Sequence, residues 1–270
     1  MKKIKIGYLY SIKKNIDIAD KLVIIKDLYD NPIIEEVDEN NKSIYDIIFI
    51  FGGDGFMLAA MHKLLNNTSP LYGINCGNIG FLMNNDFISY ENFINNKYKK
   101  YIIKPLSVTF FDNSNTKIAS KVAFNEFVMI RKEYRTINMK VKINDISKII
   151  EINGDGLIAA TAIGSHAYNK SASGILLPLH SDHTVMTLLN PYKYNIKNKS
   201  ILLNSEDEIE IFYNNQEADT RPMQIYIDHC SIDIDEISKI KITLSSNIFS
   251  KLLYNIDNDL KFKILQSQIN

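Results

Sequence analysis

The chain has 270 residues, 46% of them hydrophobic, which is enough for one large or two ordinary domains with a sizeable core and argues against disorder. Its 31 basic and 31 acidic residues cancel, so no global field draws nucleic acid or an anionic membrane to it. Cys76 and Cys230 are its only cysteines and form no C-x-x-C pair, which excludes a disulfide framework or a sulfur-rich zinc site.

Residues 4–10 read as a first strand. Over 16–28 the apolar residues Ile18, Leu22, Ile25 and Leu28 recur at helical spacing, and Pro32 ends the pattern. Ile33 and Ile34 begin a second strand. Residues 45–51 are a continuous apolar run, too short for a helix and closed by Gly52-Gly53, as in a central strand buried on both faces. A helix is expected over 56–65, a strand over 70–75, and a glycine-rich loop at Gly77 and Gly80. This alternation predicts an α/β domain with a parallel sheet over residues 1–100.

The pattern then changes. Segments 102–111, 127–131, 138–143 and 149–152 are strand-like with no helix between them, and 209–213, 223–227 and 237–244 alternate in part. A β-rich, β-sandwich-like domain is therefore expected over 101–247. Residues 256–265 read as helical, and 248–270 are expected to return to the first domain. No internal repeat of fixed period is present, which excludes a solenoid. The longest apolar runs fall far short of a membrane span, and the start Met-Lys-Lys-Ile-Lys carries no long apolar secretory segment. A cytoplasmic location is expected.

Four places carry candidate chemistry. Gly52-Gly53-Asp54-Gly55 lies between the buried strand and a helix, where glycines let the backbone approach a phosphate and free amides point at it. A carboxylate there would repel phosphate, so Asp54 suits a base for an attacking hydroxyl or a group near a metal ion. Alone, the string fits a capped turn about as well. Asn125-Glu126 opens a strand, where an amide and a carboxylate can read a purine edge and a ribose hydroxyl; a strand-end turn is the plainer alternative. Asp155, between two glycines, offers acceptors to a ligand or simply closes a hairpin. Gly164-Ser165-His166-Ala167-Tyr168 reads as a helix start whose amides and Ser165 hydroxyl face a ligand, with Tyr168 as an aromatic surface, or else as a capped helix with a core Tyr. His180, Asp182 and His183 invite a metal reading, but no further ligand cluster accompanies them and they follow Leu177-Pro178 in loop-like sequence, so no protein metal site is expected. Neither G-x-x-x-x-G-K-[ST] nor G-x-G-x-x-G occurs, which removes a Walker-type site and weakens an NAD-dependent oxidoreductase.

Taken together, Phe51-Gly52-Gly53-Asp54-Gly55, Tyr72-Gly73-Ile74-Asn75 with Gly77 and Gly80-Phe81-Leu82, Asn125-Glu126, and Gly154-Asp155-Gly156 with Thr161 and Gly164 to Tyr168 resemble the motifs of NAD kinases in order and spacing. The match runs over residues 45–178 and recurs near Asp228. The form Gly55-Phe56-Met57-Leu58 is similar to the alphaproteobacterial branch.

The resemblance implies that Asp54 takes the proton of the NAD adenosine 2′-hydroxyl as it attacks the γ-phosphate of ATP. It further implies that Gly52, Gly53, Gly55 and Phe56 line the substrate site, with Mg²⁺ carried mainly by the ATP phosphates. Asn125, Glu126, Asp155, Ile163, Ser165, His166, Ala167 and Tyr168 would contact substrate, and His229 would lie near the dinucleotide. The same resemblance implies an active site between the two domains and a homodimer or homotetramer in which a neighbouring subunit completes the NAD pocket. The chain departs from the family pattern at His166, where Thr is usual, at Ala162, where Pro is common, and at Cys76, where Arg is common. A lipid kinase sharing the G-G-D-G turn and a non-catalytic dinucleotide sensor are the alternatives.

Overall fold

The computed structural model describes residues 3–14, 16–30, 32–38, 43–65, 67–77, 80–144, 148–213, 221–234 and 237–257. The first elements are β1 (Lys5–Tyr10), α1 (Ile18–Leu28), β2 (Ile33–Glu36), β3 (Ile47–Gly52), α2 (Asp54–Lys63), β4 (Pro70–Asn75), α3 (Tyr90–Ile94) and β5 (Tyr98–Ile103). Asp17 starts α1 by accepting hydrogen bonds from the amides of Ala19 and Asp20, which have no helix carbonyl to bind. β3 pairs in parallel with β1 on one side and β4 on the other, and every one of its residues is buried. That is why it carries no polar alternation. Phe49, Phe51, Tyr72 and Tyr29 form the centre of this core, each fully buried aromatic contributing roughly 1.5–3 kcal/mol through apolar area removed from water.

Residues 102–111 are not one strand. β5 ends at Ile103, and β6 (Leu106–Phe111) begins after Pro105 in a different sheet. Proline has no amide to donate to a ladder, so a segment that reads as one strand is cut in two there. The chain divides into compact units at the same place, one made of Met1–Ile103 and Ile248–Asn270, the other of Lys104–Asn247.

The second unit continues with β7 (Lys117–Ala123), β8 (Glu126–Arg131), β9 (Ile137–Ile143), β10 (Ile150–Gly154), β11 (Gly156–Ala160), a 3₁₀ turn at Gly164–His166, α4 (Tyr168–Ser171), β12 (Thr184–Leu189), β13 (Lys193–Tyr194), β14 (Ser200–Leu203), β15 (Glu208–Tyr213), β16 (Met223–Ile227), β17 (Cys230–Ile232) and β18 (Lys239–Leu244). These make two antiparallel sheets, ordered β13-β10-β9-β15-β18-β6-β7 and β14-β12-β11-β8-β16-β17. Val108, Phe110, Val141 and Ile211 from one share a core with Phe127, Met129, Leu157 and Met186 from the other, as the β-sandwich-like expectation requires. β9 alternates between buried and open positions, whereas β11 and β12 are buried throughout. A second apolar cluster explains the difference, since Leu177, Ala162, Val128, Ile158 and Val185 cover the other face of that sheet.

The last described strand, β19 (Ser250–Asn255), belongs to the first unit. It lies between β4, parallel to it, and β5, antiparallel, so the first sheet reads β2-β1-β3-β4-β19-β5. Of the helix expected over 256–265, Ile256 and Asp257 stand in a turn, and 258–265 lie outside the described residues. Among the described residues no helix is long and apolar enough to cross a membrane.

Candidate active site

In the first unit the site is built on the turn from β3 into α2. Gly53 is the N-cap, extended at φ −134° and ψ −174°, and offers no side-chain cap; the Phe56 amide donates to the Gly53 carbonyl at 3.0 Å, which leaves the amides of Asp54 and Gly55 at the helix start for an anion. A Cβ on Gly52 would come within 2.8 Å of the Phe56 side chain, so packing alone demands glycine there. Gly55 is different. It is exposed, and a Cβ would meet nothing within 4 Å, so its bareness leaves room for something outside the chain.

Asp54 is the first residue of α2. Its Oδ2 accepts the Phe81 amide at 2.9 Å and its Oδ1 accepts the Leu82 amide at 2.8 Å, charge-assisted bonds of about 1.5–3 kcal/mol each. The Gly80-Phe81-Leu82 motif thus fixes the carboxylate through its backbone while each oxygen keeps a further lone pair. The Cys76 amide donates to the Gly52 carbonyl at 2.7 Å, joining the start of the same loop to the glycine turn. The Cys76 thiol packs inward toward the Ile74 carbonyl at 3.6 Å. Half-buried Phe56, with Ala59 and Lys63 on the same face of α2, lines a cavity of about 240 Å³ whose other wall includes Leu9 and Tyr10. Tyr254 of β19 is 1% exposed and its hydroxyl has no hydrogen-bond partner among the described residues; burial, and then the charge of Asp54, hold its pKa above the usual phenol value.

In the second unit the expected binding residues gather at one end of β8 and β11. Asp228 stands in the turn between β16 and β17 with φ 52°, a left-handed conformation that Asp tolerates better than most residues. Its Oδ2 accepts the Phe124 amide at 2.9 Å, and its Oδ1 accepts those of Asn125 at 2.7 Å and Glu126 at 3.1 Å. From the other side the Thr161 amide donates to the Asn125 carbonyl at 2.9 Å and its hydroxyl to the Phe124 carbonyl at 2.6 Å. The backbone of the Asn125-Glu126 pair is therefore satisfied internally, and the half-buried Asn125 side chain makes no hydrogen bond among the described residues. Glu126 is 7% exposed, and its Oε2 is buried without a hydrogen-bond partner among the described residues. Burial, and then the charge of Asp228, push its pKa up to about 8. An orphaned, buried carboxyl is costly unless something completes it.

Gly164 presses on this pair so closely that a Cβ would fall 1.9 Å from the Asn125 carbonyl oxygen. The segment after it differs from the expected helix start, being a single 3₁₀ turn followed by the four-residue α4. Ser165 is fully buried, donating to the Ala162 carbonyl at 2.7 Å and accepting the Leu177 amide at 2.9 Å, so its hydroxyl ties the chain to itself rather than facing a ligand. Ile163 is likewise buried. His166 is half-buried with Nε2 2.8 Å from the Leu177 carbonyl, and burial outweighs that contact to keep its pKa below the usual value. Ala167 is half-buried, whereas Tyr168 is 42% exposed and His229 is exposed, so both rings are open to a ligand.

Asp155 stands apart from these groups. It precedes β11 at the end where Gly156 pairs with Ile130, whereas Glu126 pairs with Ala160 at the opposite end. Its Oδ1 takes the Arg131 Nε at 2.6 Å and its Oδ2 the Asn190 amide at 2.9 Å. Burial raises its pKa, but the bonds from Asn190 and Arg131 and the Arg131 charge outweigh it and leave the carboxyl below its ordinary value. Nor do His180, Asp182 and His183 act together, since Asp182 pairs with Lys104 at 3.0 Å and His183 Nδ1 lies 3.0 Å from the Ser181 hydroxyl. Among the described residues no three acidic, His or Cys side chains cluster as a metal site.

A family model described as the ATP-NAD kinase N-terminal domain matches residues 12–100. An NAD kinase of Rhizobium meliloti (strain 1021) is 32% identical over 228 residues, covering 83% of this chain and 85% of that protein. One from Rickettsia peacockii (strain Rustic) is 30% identical over 247 residues, 90% of each chain. The chain belongs to the NAD kinase family. The alphaproteobacterial origin of these two NAD kinases agrees with the Gly55-Phe56-Met57-Leu58 form. Among solved structures, yeast NADH kinase complexed with NADH superposes with a TM-score of 0.78 at 17% identity, covering 98% of this chain and 87% of that one. An NAD kinase from Archaeoglobus fulgidus in complex with ATP gives 0.70 at 21% identity, covering 98% and 99%. At those identities the likeness bears on the NAD kinase fold.

The NAD kinase motifs are legible in the sequence, but what holds them is not. In Asp228-His229 the imidazole is the more conspicuous ligand group, while the aspartate organises the pair at 125–126. The available signal was an aspartate in a strand-end turn, where a left-handed residue is common.

Proposed function

We propose that the protein transfers the γ-phosphoryl group of ATP to the 2′-hydroxyl of the adenosine ribose of NAD, giving NADP and ADP. The observation that carries this reading is the Asp54 carboxylate, held by two backbone amides beside a bare glycine turn at the start of a helix. Asp54 takes the 2′-hydroxyl proton as that oxygen bonds to the γ-phosphorus; the bond from the γ-phosphorus to the bridging oxygen breaks, and its electrons leave with ADP. The uncapped amides of α2 and the space at Gly55 suit the triphosphate. Phosphoryl transfer asks little more of a protein than position and charge neutralisation.

A magnesium ion fits here as a partner of the triphosphate, carried mainly by its phosphates, with the Asp54 carboxylate held at the same turn. When bound with ATP it neutralises phosphate charge. On the other unit, the Asn125 amide and the orphaned Glu126 carboxyl suit an adenosine, and Tyr168 and His229 of the same unit offer exposed rings. Both curated relatives described above carry the NAD kinase name, which favours a dinucleotide acceptor over a lipid. Assembly as a homodimer or homotetramer in the cytoplasm belongs to the same reading, and light scattering on the eluted protein measures the assembly.

The test is to incubate purified protein with NAD, ATP and Mg²⁺ and to assay NADP, with inorganic polyphosphate replacing ATP and NADH replacing NAD in parallel arms. Asp54→Asn keeps the shape and removes the base. It is expected to lower kcat by about 10²–10⁴-fold while NAD binding persists. Full turnover by that variant would remove Asp54 from the role assigned to it.

A further inference from the structure

We propose that Asn84 is a positioning residue for this reaction, fixing the Asp54 carboxylate by clamping the loop that holds it to the C-terminal strand β19. The proposal rests on Asp54 being the base, as argued above. Asn84 is fully buried and lies two residues beyond Leu82, whose amide binds Asp54 Oδ1. Its backbone pairs with the end of β4 beyond the residues that pair with β19: the Asn84 amide donates to the Gly73 carbonyl at 2.8 Å, and the Asn75 amide donates to the Asn84 carbonyl at 2.8 Å. Its side chain spans to β19, where Nδ2 donates to the Leu253 carbonyl at 3.0 Å and Oδ1 accepts the Asn255 amide at 3.0 Å. The second Nδ2 hydrogen returns to the Gly73 carbonyl at 3.2 Å.

Asparagine is suited to this place because one planar amide supplies two donors and an acceptor. Aspartate would lose both donors, and an apolar residue would leave the carbonyls of Gly73 and Leu253 and the amide of Asn255 to find other partners. The described part of the loop is tight at Gly80. A Cβ on Gly80 would come within 2.8 Å of the Asn75 side chain and 2.9 Å of Met83. Its start is tied to the glycine turn through Cys76 and its end to β19 through Asn84, so the Phe81 and Leu82 amides are presented to Asp54 from a segment anchored on both sides. Loosening the Asn84 anchor lets the carboxylate swing, which slows the chemical step without touching either substrate.

The experiment measures NADP formation and thermal unfolding for Asn84→Ala and Asn84→Asp beside Ile25→Val, a core variant of the same unit that lowers stability without reaching the loop. The expected result is a drop in kcat of at least tenfold for Asn84→Ala at a temperature where it is fully folded, with KM for NAD within twofold, while Ile25→Val keeps its kcat. Asn84→Asp, which retains the acceptor for the Asn255 amide, is expected to fall between them, and it decides the matter if Asn84→Ala does not fold. Unchanged kcat in a folded Asn84 variant would overturn the proposal. Full turnover by Asp54→Asn would instead sink the reading of Asp54 beneath it, so the two failures are distinguishable.

Discussion

Glu126 is buried with one carboxyl oxygen that meets no donor among the described residues, beside an aspartate that adds to the cost of its ionisation. Its pKa stands at about 8 in the folded chain against an ordinary value of 4.5, so the folded state binds a proton that the unfolded state gives up between those limits. The contribution is present in full below about pH 4.5 and is lost as pH rises toward about 8. Over that window wild-type protein is expected to lose stability relative to Glu126→Gln at up to about 1.4 kcal/mol per pH unit. Urea unfolding of both proteins at pH 5 and pH 8 checks this, and parallel curves would refute it. The sequence carried the identity of this carboxyl and of Asp54, because each stands in a short motif with recognisable turn residues. It could not carry their protonation or their partners, since burial and the amides of Phe81 and Leu82 come from segments distant along the chain.

Elements aim these side chains. The turn between β16 and β17 reaches back more than a hundred residues to hold β8 at its start, with three amides on one carboxylate. Asp228→Ala removes that acceptor and leaves three donors to be solvated or lost, at about 1–3 kcal/mol for each that stays buried. The expected outcome is a tenfold or larger rise in KM for NAD with a measurable fall in the unfolding midpoint, read by steady-state kinetics and differential scanning calorimetry. An unchanged KM in a folded variant would show that the pair at 125–126 holds its shape without this support. Element types were largely readable in the sequence: the apolar run ending at Phe51 marks a parallel central strand, and residues 70–75 and 223–227 became strands with those bounds. The failures have physical causes. Pro105 divides an apolar run between two sheets, and the segment at 164–168 forms a 3₁₀ turn where Ser165 bonds to its own neighbours.

At the scale of the molecule, the second unit is one continuous stretch with its own core, whereas the first is assembled from two pieces separated by more than 140 residues. A chain ending at Asn247 lacks β19 and therefore leaves β4 and β5 unpaired across the gap. Hydrogen exchange on that truncation is expected to show protection retained in β9 and β15 and lost, by about 100-fold or more, in β4 and β5. Equal protection in both sets would mean that the first sheet closes without its last strand.

The insertion of β19 between β4 and β5 also orders events on the ribosome. The sandwich can close as soon as β18 has emerged, but the sheet that leads into Asp54 waits with β4 and β5 apart until β19 follows, more than 140 residues after β5. Those edges are exposed to other nascent chains for that interval, so slowing elongation between the codons for β5 and β19 should raise aggregation more than slowing it ahead of β1.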